Sequence, residues 1–317
     1  MASKKSKTPA QRYLRYELTN SGTPNTETSH YIDLARDLSR VNRRLYRQGR
    51  DYHVKKITIV SSNTPSVTVF DPAGSKVNGG RVSVSTIPDT WVSKMAWERG
   101  FRTFTEMNKI ATKQTAGDIA GTWADFKVHM SVDSRAATLA NPLDNGGNAY
   151  LTGEWSYSIM VTPDGTASAD DFSLHMLGDH NGSAGARNSV GLIKSYGESR
   201  ATVQTGDPNV PGLASDDPLV NVFDYGTTID DVVDYLELSN DAPPYDIDDY
   251  PGDDANGPKP AVVQDTCLLD GRATMAGFTA MLGALEFEIR SSVANDVCSV
   301  LVELAPGKYR GIHAEMI

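Results

Sequence analysis

After Lys55 the chain adopts a two-residue hydrophobic period in short runs that turn sequences interrupt, and this rhythm constrains the fold more than any other feature. A period of two sends alternate side chains to opposite faces of a strand, so each run buries its apolar face only by pairing and stacking on a second sheet. Candidate strands are Ile57–Ser61, Ser66–Phe70, Arg81–Ile87, Asp125–Met130, Glu154–Val161, Phe172–Leu177, Val190–Tyr196, Ala261–Leu268, Thr274–Met281, Ala284–Arg290, Val297–Leu304 and Tyr309–Glu315. Most are separated by turn formers such as Asn78-Gly79-Gly80, Asp144-Asn145-Gly146-Gly147, Pro163-Asp164-Gly165 and Pro306-Gly307. With 27 Gly and 16 Pro in 317 residues, the expected class is all-β.

Helical spacing occurs in three places. From Ser29, a suitable N-cap, to Gly49, a suitable stop, Tyr31, Leu34, Leu38, Val41 and Leu45 recur as on one helix face. At 100° per residue the four from Leu34 to Leu45 fall within about 60° of one another, with Arg36, Arg40, Arg43 and Arg47 in an equally narrow stripe opposite. Asp33 and Asp37 lie to the side of that stripe, so the arginines, with Arg44 beside them, call for an anionic partner. Forked guanidinium donors suit phosphate oxygens. A second helix, Asp89–Ala111, carries Trp91, Met95, Trp97, Phe101, Phe104 and Met107 around much of its circumference and reads as buried on several sides. The third, Thr228–Leu238, is short and acidic.

Charge is divided unequally. Residues 1–56 carry 13 Lys and Arg against 5 Asp and Glu, whereas 202–258 hold 14 acids and no Lys or Arg. The expected organisation is a basic extended arm over 1–28, with Lys4, Lys5, Lys7, Arg12 and Arg15, then an Arg-striped helix over 29–50. A body over 51–317 follows, with a long acidic loop at 202–258. Such asymmetry suits an arm that meets polyanion and a body that avoids it.

Other chemistries find little support. The lysines near the start have no apolar stretch behind them, so no signal peptide is expected, and no run of 18 apolar residues occurs. Cys267 and Cys298 are read as two buried thiols. Gly197-Glu198-Ser199-Arg200-Ala201, followed later by His313, is a degraded nucleophile elbow without the alternating strands and helices of a hydrolase. His175, Asp179 and His180 lack a third or fourth ligand and read as a turn. Asp246, Asp248, Asp249, Asp253 and Asp254 offer oxygens to an interfacial Ca²⁺ but lack the spacing of an EF-hand, so the expected cofactor is none and the expected class is not an enzyme.

Several stretches resemble coat proteins of small circular single-stranded DNA viruses from environmental samples, relatives of the Rep-encoding viruses. They are residues 30–59, the tryptophan helix from Trp91, and the segments 153–158, 177–182, 189–203, 215–219 and 304–311. The resemblance implies a jelly-roll β-sandwich that self-assembles into an icosahedral shell around single-stranded DNA, with the N-terminal segment facing the genome and the virion as its location. It transfers no catalytic residues, and a host receptor is the other partner of such a shell. A single jelly roll with elaborated loops is expected, a double one being the structural alternative. A spike or attachment protein and a single-strand-binding module are the functional alternatives.

Overall fold

The structure, a computed structural model, describes residues 9–61, 80–114, 124–151, 153–161, 171–183, 186–200, 251–253, 259–268 and 271–317. Lys4, Lys5, Lys7, the expected strand Ser66–Phe70, the expected helix Thr228–Leu238 and nearly all of the acidic segment lie outside the described residues. In chain order come β1 (Tyr13–Thr19), β2 (Glu27–Asp33), α1 (Leu34–Asn42), β3 (Arg50–Ser61) and β4 (Gly80–Thr86). An insertion follows with α2 (Trp91–Gln114), β5 (His129–Ser131), α3 (Val132–Ala136), β6 (Ile159–Val161), β7 (Asp171–Leu177), β8 (Asn181–Ser183), β9 (Ala186–Gly191) and α4 (Leu192–Arg200). The chain then runs through β10 (Ala261–Leu268), β11 (Arg272–Met275), β12 (Phe278–Met281), β13 (Ala284–Arg290) and β14 (Val297–Leu304). It ends in the short β15 (Pro306–Gly307), β16 (Gly311–Ile312) and β17 (Ala314–Met316).

The pairing is nested. β1 pairs with β14, β2 with β13, β3 with β11 and β12, and β4 with β10, all antiparallel. Two further pairings, β14 with β3 and β13 with β4, join these into sheets ordered β1-β14-β3-β11 and β10-β4-β13-β2. The alternation explains the layers. Leu14, Tyr16 and Leu18 of β1 are buried opposite Val302, Val300 and Cys298 of β14, while Tyr13, Glu17 and Thr19 face outward. Val54, Ile57 and Ile59 complete that inner face, and Val82, Val84, Leu285, Phe287 and Ile289 supply the other. Each such side chain contributes roughly 1.5–3 kcal/mol when fully buried.

The insertion has a different architecture. β5 and β9 run parallel to β7, with β6 and β8 antiparallel at the margins, and α2 and α4 pack beside this sheet over a second core that includes Trp97, Phe126, Met176 and Ile193. The all-β expectation is therefore corrected to mostly β with an α/β insertion. Val190–Tyr196 is the clearest instance: the strand stops at Gly191, and Leu192, Ile193 and Tyr196 turn the same apolar residues onto one side of a helix. Thr274–Met281 is two strands, β11 and β12, that pair with β3 in one register, and the glycine between them is required where a side chain at Gly277 would lie 2.7 Å from the Val54 and Lys55 carbonyl oxygens.

The N-terminal expectations also change. Residues 13–19 of the expected arm are a sheet strand, and Glu27–Asp33, which spans the end of the expected arm and the start of the expected Arg-striped helix, pair with β13. Asp33, not Ser29, caps α1, accepting from the Arg36 backbone N–H at 3.0 Å, and the helix ends after Asn42 with Arg43 left-handed at φ 52°. Thr90 caps α2, its Oγ1 accepting from Ser93 N at 3.2 Å, while Asp89 pairs instead with Lys94 at 2.7 Å. Thr90→Ala is expected to cost about 1 kcal/mol in chemical denaturation, the usual value of such a cap. Cys298 is buried as expected, but Cys267 is exposed. Among the described residues no helix is long and apolar enough to cross a membrane.

Candidate nucleic-acid interface

The arginines of residues 36–47 divide into a buried set and an open set. Arg36 is 4% exposed; its Nε donates to Asp37 at 2.8 Å and its Nη2 to the Ala140 carbonyl, so it is a structural charge and not part of an outward stripe. Arg40 reaches across to Asn141 Oδ1 at 2.6 Å. Arg43 is exposed and Arg44 partly so. Arg47 is exposed but donates to the Ala124 carbonyl at 2.7 Å and to Asp125 Oδ1 at 3.2 Å.

Four of these, with groups the sequence reading missed, line a cleft of about 640 Å³ formed by Arg36, Arg40, Arg43 and Arg44 on one side and Lys127, Glu154 and Trp155 on the other. The loop carrying the arginines is rigidly held. The Tyr46 hydroxyl donates to the Arg310 carbonyl, the Tyr52 hydroxyl to the Arg47 carbonyl, and Arg47 N to the Tyr309 hydroxyl. Gln48 clasps Val128 through both its amide atoms, at 2.6 and 2.9 Å, which fixes the segment bearing Lys127, just before β5, against that loop.

The electrostatics favour an anion. Lys127 Nζ lies 4.5 Å from the centroid of the Trp155 ring, and burial holds its ammonium below the ordinary lysine value despite Asp125 and Asp33. Burial, then the adjacent Arg36 charge, likewise lowers Arg40. Arg40 Nε and Trp155 Nε1 are buried donors with no hydrogen-bond partner among the described residues. Partly buried cations and unpaired buried donors together are what an incoming phosphate oxygen relieves. The aromatic ring beside them is a surface on which a base can stack.

A second cleft of about 460 Å³ is lined by Arg47 and by Phe101, Phe104, Lys109, Lys113 and Asp125, so basic and aromatic groups continue along α2. Neither Arg12 nor Arg15 joins either cleft: Arg12 donates to the Leu304 carbonyl at 3.3 Å and Arg15 pairs with Glu17 at 2.7 Å on the outer face of β1. Ser199 lies in α4, where its hydroxyl donates to the Tyr196 carbonyl at 2.6 Å as an ordinary helix back-bond. His180 pairs with Glu198 at 3.1 Å. Of the candidate Ca²⁺ ligands only Asp253 falls within the described residues, and it is buried. Comparison with protein-family models, with curated proteins and with solved structures returns no match to this chain.

Proposed function

We propose that this chain is a viral capsid subunit, a single jelly roll whose copies close a shell around single-stranded DNA, with the Arg40–Lys127 cleft turned to the genome. The nested pairing carries the reading. Counting β11 and β12 as one edge and leaving aside the short β17 that also pairs with β3, eight strands pair first with last, second with seventh, third with sixth and fourth with fifth, as a long hairpin divided between two sheets. That nesting supports the reading as a jelly roll, a fold common in virus shells. Strand count supports one roll over two. The similarity of the chain's motifs to coat proteins supports the function, which fold alone does not assign.

The test is negative-stain electron microscopy of the purified protein, alone and with single-stranded DNA, at low and moderate salt. Uniform closed shells are the expected result. Trimers without shells would favour the attachment protein, and monomers that bind DNA would favour the binding module.

The cleft has its own measurement. Removing three cations from a single-strand contact lowers the slope of log affinity against log salt by about 2. Arg43→Ala/Arg44→Ala/Lys127→Ala is therefore expected to flatten the salt dependence of oligonucleotide anisotropy by that amount and to weaken binding at low salt. An unchanged slope would move the genome contact elsewhere.

A further inference from the structure

We propose that His53, His313 and Glu315 form a divalent-metal site of zinc type on the edge where β17 joins β3. Three independent strands of geometry converge there. His53 lies on β3, and its backbone N–H donates to the His313 carbonyl at 3.1 Å, which brings the two imidazoles to 4.0 Å between ring centroids. Glu315 stands opposite Asp51 in the β17–β3 register, on the same stretch of edge, and its Oε1 is 3.2 Å from His313 Nε2. The three potential ligand atoms lie within 4.8 Å of one another.

The fourth observation concerns orientation. His53 Nδ1 lies 2.9 Å from Thr279 Oγ1, while its Nε2 is buried and has no hydrogen-bond partner among the described residues. An Nδ1–H donated to a hydroxyl fixes the tautomer and leaves the Nε2 lone pair presented, which is how protein partners orient a metal-ligating histidine. Two imidazoles and one carboxylate suit Zn²⁺ better than Ca²⁺ or Mg²⁺, which prefer all-oxygen sets. Ligands about 2.0–2.1 Å from a common ion lie at most about 4 Å apart, so closure needs a movement of about 1 Å. His313 and Glu315 are exposed and His53 is only partly buried, so the two outer ligands supply that movement. Three protein ligands leave one position for water or for a group of a neighbouring molecule. A bound ion would clamp the C-terminal segment to β3, and because the ligands come from segments far apart in the chain it would bind the folded chain in preference to the unfolded one.

The experiment is calorimetric titration of tag-free, full-length protein with ZnCl₂, with the visible spectrum of bound Co²⁺ as a second readout of coordination. The expected result is one ion per chain, with loss of the site in His313→Gln and in Glu315→Gln, both exposed positions at which the fold should stand. Thr279→Val, which leaves all three ligands in place, is expected to weaken binding roughly 10- to 100-fold. No binding by the native chain, or undiminished binding by both His313→Gln and Glu315→Gln, would overturn the proposal. The outcome is independent of whether the protein forms shells.

Discussion

Asp37→Ala is expected to destabilise the protein by about 3–5 kcal/mol, the usual cost of leaving one partner of a buried ion pair uncompensated. Asp37 is fully buried and accepts from Arg36 Nε at 2.8 Å and from the Tyr16 hydroxyl at 2.7 Å. Burial raises its carboxyl to about 6, even though Arg36 and Tyr16 both favour the ionised form. The alanine variant strands a guanidinium with Asp33 as its remaining carboxylate neighbour. Arg36→Met/Asp37→Leu, which removes both charges, should recover most of the loss, since an apolar pair of similar volume is often neutral or stabilising. Urea denaturation of the three proteins at neutral pH decides it. A loss below about 1 kcal/mol in Asp37→Ala would mean that water reaches the pair.

The second large effect is a dependence on acid. His129 and His175 are cross-strand neighbours in the β5–β7 pair, each with an unpartnered Nδ1 among the described residues, and both are pulled down to about 4, chiefly by burial. Arg135 opposes protonation of either, as do His175 for His129 and His180 for His175, while the Asp179 carbonyl, 3.0 Å from His175 Nε2, favours it. Because the folded value lies below the unfolded one near 6.5, the unfolded chain takes up the proton first. The stabilisation is complete above pH 6.5 and is lost as pH falls toward 4. For the fully buried His175 that is roughly 3 kcal/mol, and less for the partly exposed His129. Asp33, Asp37, Asp125 and Glu286 are raised by burial, so acidification relieves them over part of the same range with the opposite sign. The clean comparison is between proteins: the stability lost from pH 7 to pH 4 should be roughly 3 kcal/mol smaller in His175→Asn than in the native chain. Equal losses would show that His175 does not govern the acid response.

Strands with Val and Ile at alternate positions, such as Arg81–Ile87, Ala284–Arg290 and Val297–Leu304, could be read within a residue or so because local propensity and final burial agree. β1 could not. Leu14, Tyr16 and Leu18 alternate just as well, but Arg12, Arg15 and Glu17 between them looked like a solvated arm until β14 supplied a partner. The helical wheel from Leu34 to Leu45 misled for a different reason. Leu45 is buried as the wheel requires, yet it belongs to the loop after the helix, and the wheel cannot show that Ala140 and Asn141 cover the side bearing Arg36 and Arg40. Lys127 and Trp155 enter the cleft from segments far along the chain with no local pattern to mark them, so only the tertiary structure joins them to Arg43 and Arg44.

Nested pairing also sets a folding order. The innermost pair, β4 with β10, must close across the whole α/β insertion, and β1 finds β14 only when nearly all of the remaining chain is made. Such high sequence separation between partners puts folding in the slow range of milliseconds to seconds. The insertion, most of whose core comes from its own residues with Tyr31, Met281, Leu282 and Ala284 added from the body, is the unit placed to form first on an emerging chain, while β1 waits as an open, half-apolar edge. That edge, rather than the finished surface, is where premature association during synthesis would begin.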